Sequence, residues 1–108
     1  MPYIIATVMY PTEIAKDLAE TYFEMLKKYP FDRSLGKETI PVAVTTNSRG
    51  VKVISVMEAK EEKLNEALTW VGKRMALFIP IKACEYKTRV WSNIVEALDY
   101  IGMKLPGQ

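Results

Sequence analysis

The side chains best suited to chemistry in this 108-residue chain are Lys82, Cys84 and Tyr86, which alternate near its end. Alternation is the spacing that puts three side chains on one face of a β-strand. A lysine held against apolar neighbours such as Ile54 and Tyr86 loses affinity for its proton and becomes a base or a carbonyl nucleophile. A cysteine becomes a nucleophile when a base or a positive neighbour stabilises its thiolate, and only Lys52 or Lys82 are available for that role at Cys84. Each residue also has a plainer reading, which we prefer: a lysine stem lying on the sheet with its ammonium in water, and a cysteine buried in the core.

The chain contains no histidine. Histidine is the commonest metal ligand and the commonest general base near neutral pH. With one cysteine besides, the usual zinc sites cannot be assembled within one subunit. Glu58, Glu61 and Glu62 cluster in the sequence, but they stand at the start of an expected helix, where acids favour the dipole without any cation. No metal and no cofactor are expected.

The totals narrow the class. The 108 residues, 49% hydrophobic and 26% charged, fit one globular domain with an ordinary core. Fifteen basic and 13 acidic side chains leave a net charge of +2, too balanced to point to nucleic acid or a membrane surface. Cys84 has no partner for an intrachain disulfide, and the start, Met1-Pro2-Tyr3-Ile4-Ile5, lacks the basic and apolar regions of a signal peptide. No segment approaches the ~20 apolar residues that cross a bilayer. The expectation is a cytoplasmic protein.

These residues must be positioned by a small set of elements. Tyr3 to Tyr10 is almost continuously apolar and predicts a strand buried on both faces. Pro11 and Thr12 open a helix whose apolar positions Ile14, Ala15, Leu18, Tyr22, Met25, Leu26 and Tyr29 follow helical spacing, and Pro30 ends it. Residues 30–39 have no clear period and are assigned to a loop. Ile40 to Thr46 is a second strand containing Pro41, joined by the turn Asn47-Ser48-Arg49-Gly50 to a third strand, Val51 to Met57. A second helix runs from near Ala59 to near Leu77, with Leu64, Ala67, Leu68, Val71 and Met75 as its stripe and Trp70 sealing its flank. Ile79 to Thr88, with Pro80, is the expected fourth strand. A short helix over 93–101 follows, capped by Ser92 or Asn93 and stopped by Gly102.

The order predicts an α+β sandwich of βαββαβ type: a four-stranded antiparallel sheet, order 4-1-3-2, with two helices on one face and an extra C-terminal helix. Proline is tolerated on edge strands, and Pro41 and Pro80 fall on the two strands expected at the edges. On this element order the chain resembles the ferredoxin-like fold and, within it, the dimeric α/β barrel superfamily. The resemblance covers residues 3–88 of a single domain spanning 1–108. It implies a homodimer whose sheets face one another, and small ligands bound in or beside the space between them. The heme-degrading, monooxygenase and cyclase groups of that superfamily depend on a histidine, so none of their active sites carries over. RNA-recognition domains share the order, but Arg49-Gly50 is followed by Val51-Lys52-Val53-Ile54 with no aromatic for base stacking. Ligand-binding domains of the ACT type share it too, yet the turn after strand one reads Tyr10-Pro11-Thr12 where they usually carry glycine.

Strand alternation assigns Ile4, Ala6, Val8, Val42, Val44, Val51, Val53, Ile79 and Ile81 to the helix side. The uncovered side receives Thr7, Met9, Thr45, Lys52, Ile54, Lys82, Cys84 and Tyr86, together with Tyr3, Ile5, Ala43 and Val56. That face is too apolar to be left in water, and either a second copy of the sheet or the C-terminal helix is expected to cover it. The eight residues named first are the candidate ligand-binding set for a small hydrophobic or semi-polar molecule at a homodimer interface. Two alternatives stand beside this one. The first is a cofactor-independent enzyme with Tyr86 as proton donor and Lys82 as base, and the second is a purely structural module.

Overall fold

In the computed structural model, which describes residues 1–107, strands and helices combine in an α+β arrangement. Strand β1 spans Tyr3–Tyr10, and its burial alternates strictly, with Ile4, Ala6 and Val8 buried and Tyr3, Ile5, Thr7 and Met9 half-buried. Pro11 fixes the entry to a single 3-10 turn, Thr12–Ile14, that leads into helix α1, Ala15–Lys28. Strand β2, Gly36–Asn47, pairs with β3, Gly50–Ala59. Another 3-10 turn, Glu61–Lys63, precedes α2, Leu64–Ala76. Strand β4 spans Glu85–Trp91 and α3 spans Ile94–Asp99.

The sheet is antiparallel, in the order β2-β3-β1-β4, which is 4-1-3-2 counted from its other edge. Leu18 and Met25 of α1 and Ala67, Val71 and Met75 of α2 share one core with Ile4, Ala6, Val8 and Met57 of the sheet. Both long helices therefore lie on one face. Phe31 meets the Trp70 ring edge-on at 5.5 Å between centroids, so Trp70 does flank the core, where it also carries the Arg74 guanidinium at 4.1 Å. Edge strand β2 is covered poorly: every residue from Thr39 to Arg49 is exposed. Its Pro41 sits on an edge, where the missing N–H is harmless.

Gly50 begins β3 with φ of 133°, directly after the two-residue turn Ser48-Arg49. A Cβ there would collide with the carbonyl oxygen of Tyr10 and lie 2.9 Å from Pro11 Cα, so the hairpin end can approach β1 only because the residue is glycine.

The main departure from the sequence expectation is the fourth strand. Residues 77–83 are turns closing the end of α2, with Phe78 buried, Ile79 65% exposed and Ala83 at φ of 66°. Pro80 lies in these turns, not on an edge strand, because a tight chain reversal after α2 uses the residues that periodicity assigns to a strand. Strand β2 begins earlier than expected, since Gly36, Lys37 and Glu38 pair with Ala59, Glu58 and Met57.

Helix α3 is also shorter than the expected 93–101. Asn93 and Glu96 form a reciprocal capping box, and Asn93 Nδ2 donates to the Met1 carbonyl at 3.1 Å. These contacts hold α3 at the N-terminal end of β1. Ile94 and Val95 of α3, and Ile101 beyond it, are 58, 49 and 69% exposed, so α3 buries little apolar surface against the sheet.

Candidate functional site

Residues paired directly across antiparallel strands project to the same side of the sheet. On the side away from the helices, Met9 is flanked by Lys52 and Glu85, Thr7 by Ile54 and Lys87, Ile5 by Val56 and Arg89, and Tyr3 by Glu58 and Trp91. Thr45 and Ala43 extend the rows of Lys52 and Ile54 onto β2. A groove of about 240 Å³ lies on this face, lined by Ile5, Thr7, Met9, Lys52, Lys87, Arg89 and Trp91. Its floor is half-buried and mostly apolar, and its walls are three exposed cations and one indole. Chemically, such a surface takes a small anion with an apolar or planar body.

Five of the eight expected site residues fall on this face. Thr7, Met9 and Lys52 line the groove, with Ile54 and Thr45 beside it. The other three do not join them. Lys82 is exposed in the turn before β4, and Cys84 precedes the strand. Tyr86 pairs with Val8 and therefore faces the helix side. Burial, with a smaller contribution from Glu85, pushes the Cys84 thiol above its ordinary value, which disfavours the nucleophilic thiolate. The donor–base pair of Tyr86 and Lys82 is thus not assembled on the open face.

Alternation extended from Ile79 turns Lys87, Arg89 and Trp91 toward the helices, which is why the expected set lacks them. The stretch Tyr86-Lys87-Thr88-Arg89-Val90-Trp91 carries its own period of two, and counting from its Thr88 and Val90 inward places Lys87 and Arg89 outward.

A second cavity, also about 240 Å³, opens on the opposite face between α1 and the β2 edge. Ala15, Ala19 and Tyr22 of α1, Trp70, Val71 and Met75 of α2, and Val42, Val44 and Val53 of the sheet line it, and the lining is largely apolar. Glu38, Ser55 and Arg74 supply polar groups. Arg74 is only 8% exposed; its Nε and Nη2 donate to the Tyr29 carbonyl at 2.8 and 2.6 Å. Burial pulls the guanidinium below its ordinary value, while the nearby Glu38 carboxylate and Tyr22 act in the opposite direction. Tyr10, also at this cavity, is held above the usual phenol value by burial and by Cys84.

The chain matches no known protein family and no curated protein. Among solved structures it is similar to a de novo designed protein, Foldit4, at 18% identity over 85% of this chain and 96% of that one, with a TM-score of 0.42. A likeness that loose carries no argument about activity. No helix among the described residues is long and apolar enough to cross a membrane.

Proposed function

We propose that this chain is a ferredoxin-like small-molecule-binding domain that works as a homodimer, with its open sheet faces closing around an anionic, partly apolar ligand. The observation that carries the reading is the groove on the uncovered face, where Lys52, Lys87 and Arg89 surround an apolar floor with Trp91 at one end. The strand order supports the fold assignment, and the exposure of Lys52, Lys87, Arg89 and Trp91 leaves the face accessible to a second copy.

The distribution of charge fits such a partner. Aligned sheets pack with their strands within about 30° of one another. A second copy turned about an axis that crosses the strands between the Ile5 and Thr7 rows would set Glu58 opposite Lys52 and Val56 opposite Ile54, so that acid meets base and apolar meets apolar. The same rotation would bring Arg89 opposite Lys87 along the β4 edge. Cations brought together repel unless an anion lies between them, which gives the dimer a reason to hold an acidic ligand.

Titration with benzoate, followed by amide and methyl NMR, tests the reading. Shifts confined to Thr7, Lys87, Arg89 and the Trp91 indole, and lost in a Lys87→Gln, Arg89→Gln double variant, are expected. Shifts scattered over the surface lysines, or benzyl alcohol binding as well as benzoate, would overturn it.

A further inference from the structure

We propose that the cleft between α1 and the β2 edge is a separate binding site, for a neutral apolar molecule ending in an adjacent hydrogen-bond donor and acceptor, the chemistry of a primary carboxamide. Arg74 and Glu38 are the recognising pair. The cleft and the open-face groove lie on opposite sides of the sheet, so this site stands or falls independently of the proposed dimer.

The polar end of the cleft sets the ligand class. Arg74 is more than nine-tenths buried, yet only its Nε and Nη2 are used, both by the Tyr29 carbonyl. Its Nη1 makes no hydrogen bond among the described residues, although Arg74 lines the cavity. No side-chain nitrogen or oxygen among the described residues is both fully buried and unpartnered, so Nη1 keeps some exposure at the cavity, where an acceptor can reach it. The position of the guanidinium is fixed from two directions, by the Tyr29 carbonyl and by the Trp70 ring 4.1 Å away. A donor held this rigidly recognises an acceptor without ordering a flexible side chain first.

Glu38 brings the complementary chemistry. It lines the same cavity and pairs with Met57 on the helix side of the sheet, and its carboxylate has no hydrogen bond or ion pair among the described residues. Both side chains line the cavity, and the carboxylate is near enough to act on the guanidinium, so a ligand bearing full charge meets attraction from one and repulsion from the other. A carboxylate gains at Arg74 and loses at Glu38, and an ammonium does the reverse. A carboxamide satisfies both, with its oxygen accepting from Arg74 and its N–H donating to Glu38.

The apolar remainder sets the size. A volume of about 240 Å³ holds on the order of eight water-sized groups at ~30 Å³ each. That suits a single ring or a short alkyl chain, lying against Val42, Val44 and Tyr22. Ala15 and Ala19 of α1 line the cavity and are exposed, and their small side chains leave that side of it open.

Benzamide and benzoate, matched in shape and differing in charge, test the proposal in the intact 108-residue chain by methyl and amide NMR. Benzamide is expected to shift Val42, Val44 and Met25, with at least tenfold preference over benzoate at those positions. Glu38→Gln should remove most of that preference by admitting benzoate. Ala19→Phe, at an exposed helix position, should block benzamide while leaving the melting temperature within a few degrees. Absence of benzamide shifts in the cleft, unchanged binding in Ala19→Phe, or a benzamide–benzoate ratio unaffected by Glu38→Gln would each overturn the proposal. Benzoate signals at Lys87 and Arg89 report the other face, so failure of one site is read separately from failure of the other.

Discussion

Replacing Arg74 with methionine separates what the buried guanidinium does for the fold from what it offers a ligand. Methionine keeps the unbranched stem and a polarisable contact with the Trp70 ring, but removes the charge and both donors to Tyr29. The two donations converge on one oxygen, so we count them as one charge-assisted bond, worth about 1.5–3 kcal/mol. Loss of the stacked cation removes ~0.5–2 kcal/mol more. Against this stands the release of a desolvated charge, whose partial compensation shows in the lowered guanidinium value. The net expectation is a loss of about 1–2 kcal/mol, or roughly 5–10 °C in melting temperature for a domain of this size. Urea unfolding at pH 7, followed by far-UV circular dichroism with Arg74→Lys as a control that keeps charge without the planar fork, measures it. An Arg74→Met protein as stable as the wild type, or more so, would refute the structural role and leave ligand recognition as the reason for the buried charge.

Two further outcomes follow from local geometry. Gly50→Ala places a methyl group against the Tyr10 carbonyl at a φ of 133°, where a non-glycine residue costs about 1–3 kcal/mol before any clash is counted; a lowered urea midpoint is expected, and an unchanged one would contradict the close approach of the hairpin to β1. Burial raises the Cys84 thiol above 9.0 and the Tyr10 phenol above 10.0, so both favour the folded state only while protonated. That stabilisation is complete below the unfolded values and is lost as pH rises through the folded ones, so the urea midpoint should fall above about pH 9, less steeply in Cys84→Ala, and a midpoint that rises with pH would exclude this burial.

Much of the scaffold was legible because it depends on local pattern. Tyr3–Tyr10 shows the continuous apolar run of a central strand, and the helical spacing of Leu18, Tyr22 and Met25 marks the buried face of α1. Gly36–Thr39 was not legible, because it lacks alternation and becomes a strand only by pairing with Glu58 and Ala59. Residues 79–84 misled for a different reason. Ile79 and Ile81 resemble strand residues, but Pro80 and the positive φ of Ala83 belong to a reversal that resets the parity of everything after it. Tyr86 therefore changed face, and Lys87, Arg89 and Trp91 took the places expected for Lys82, Cys84 and Tyr86. The cleft at Arg74 had no sequence signal at all. Its existence depends on β2 being left uncovered, and on Arg74 turning inward from a helix end where a solvated cation is the usual arrangement.

The proposed sheet-to-sheet dimer around the groove at Lys52, Lys87 and Arg89 is tested most directly by the mass of the protein in solution. Light scattering coupled to size exclusion, at tens of micromolar chain, should give twice the 12.3 kDa chain mass for the wild type. A single chain mass is expected for Ile54→Lys, which adds a charge to the middle of the open face on a residue that is only half-buried. A wild type that runs as a monomer, or an Ile54→Lys variant that remains dimeric, would contradict the dimer.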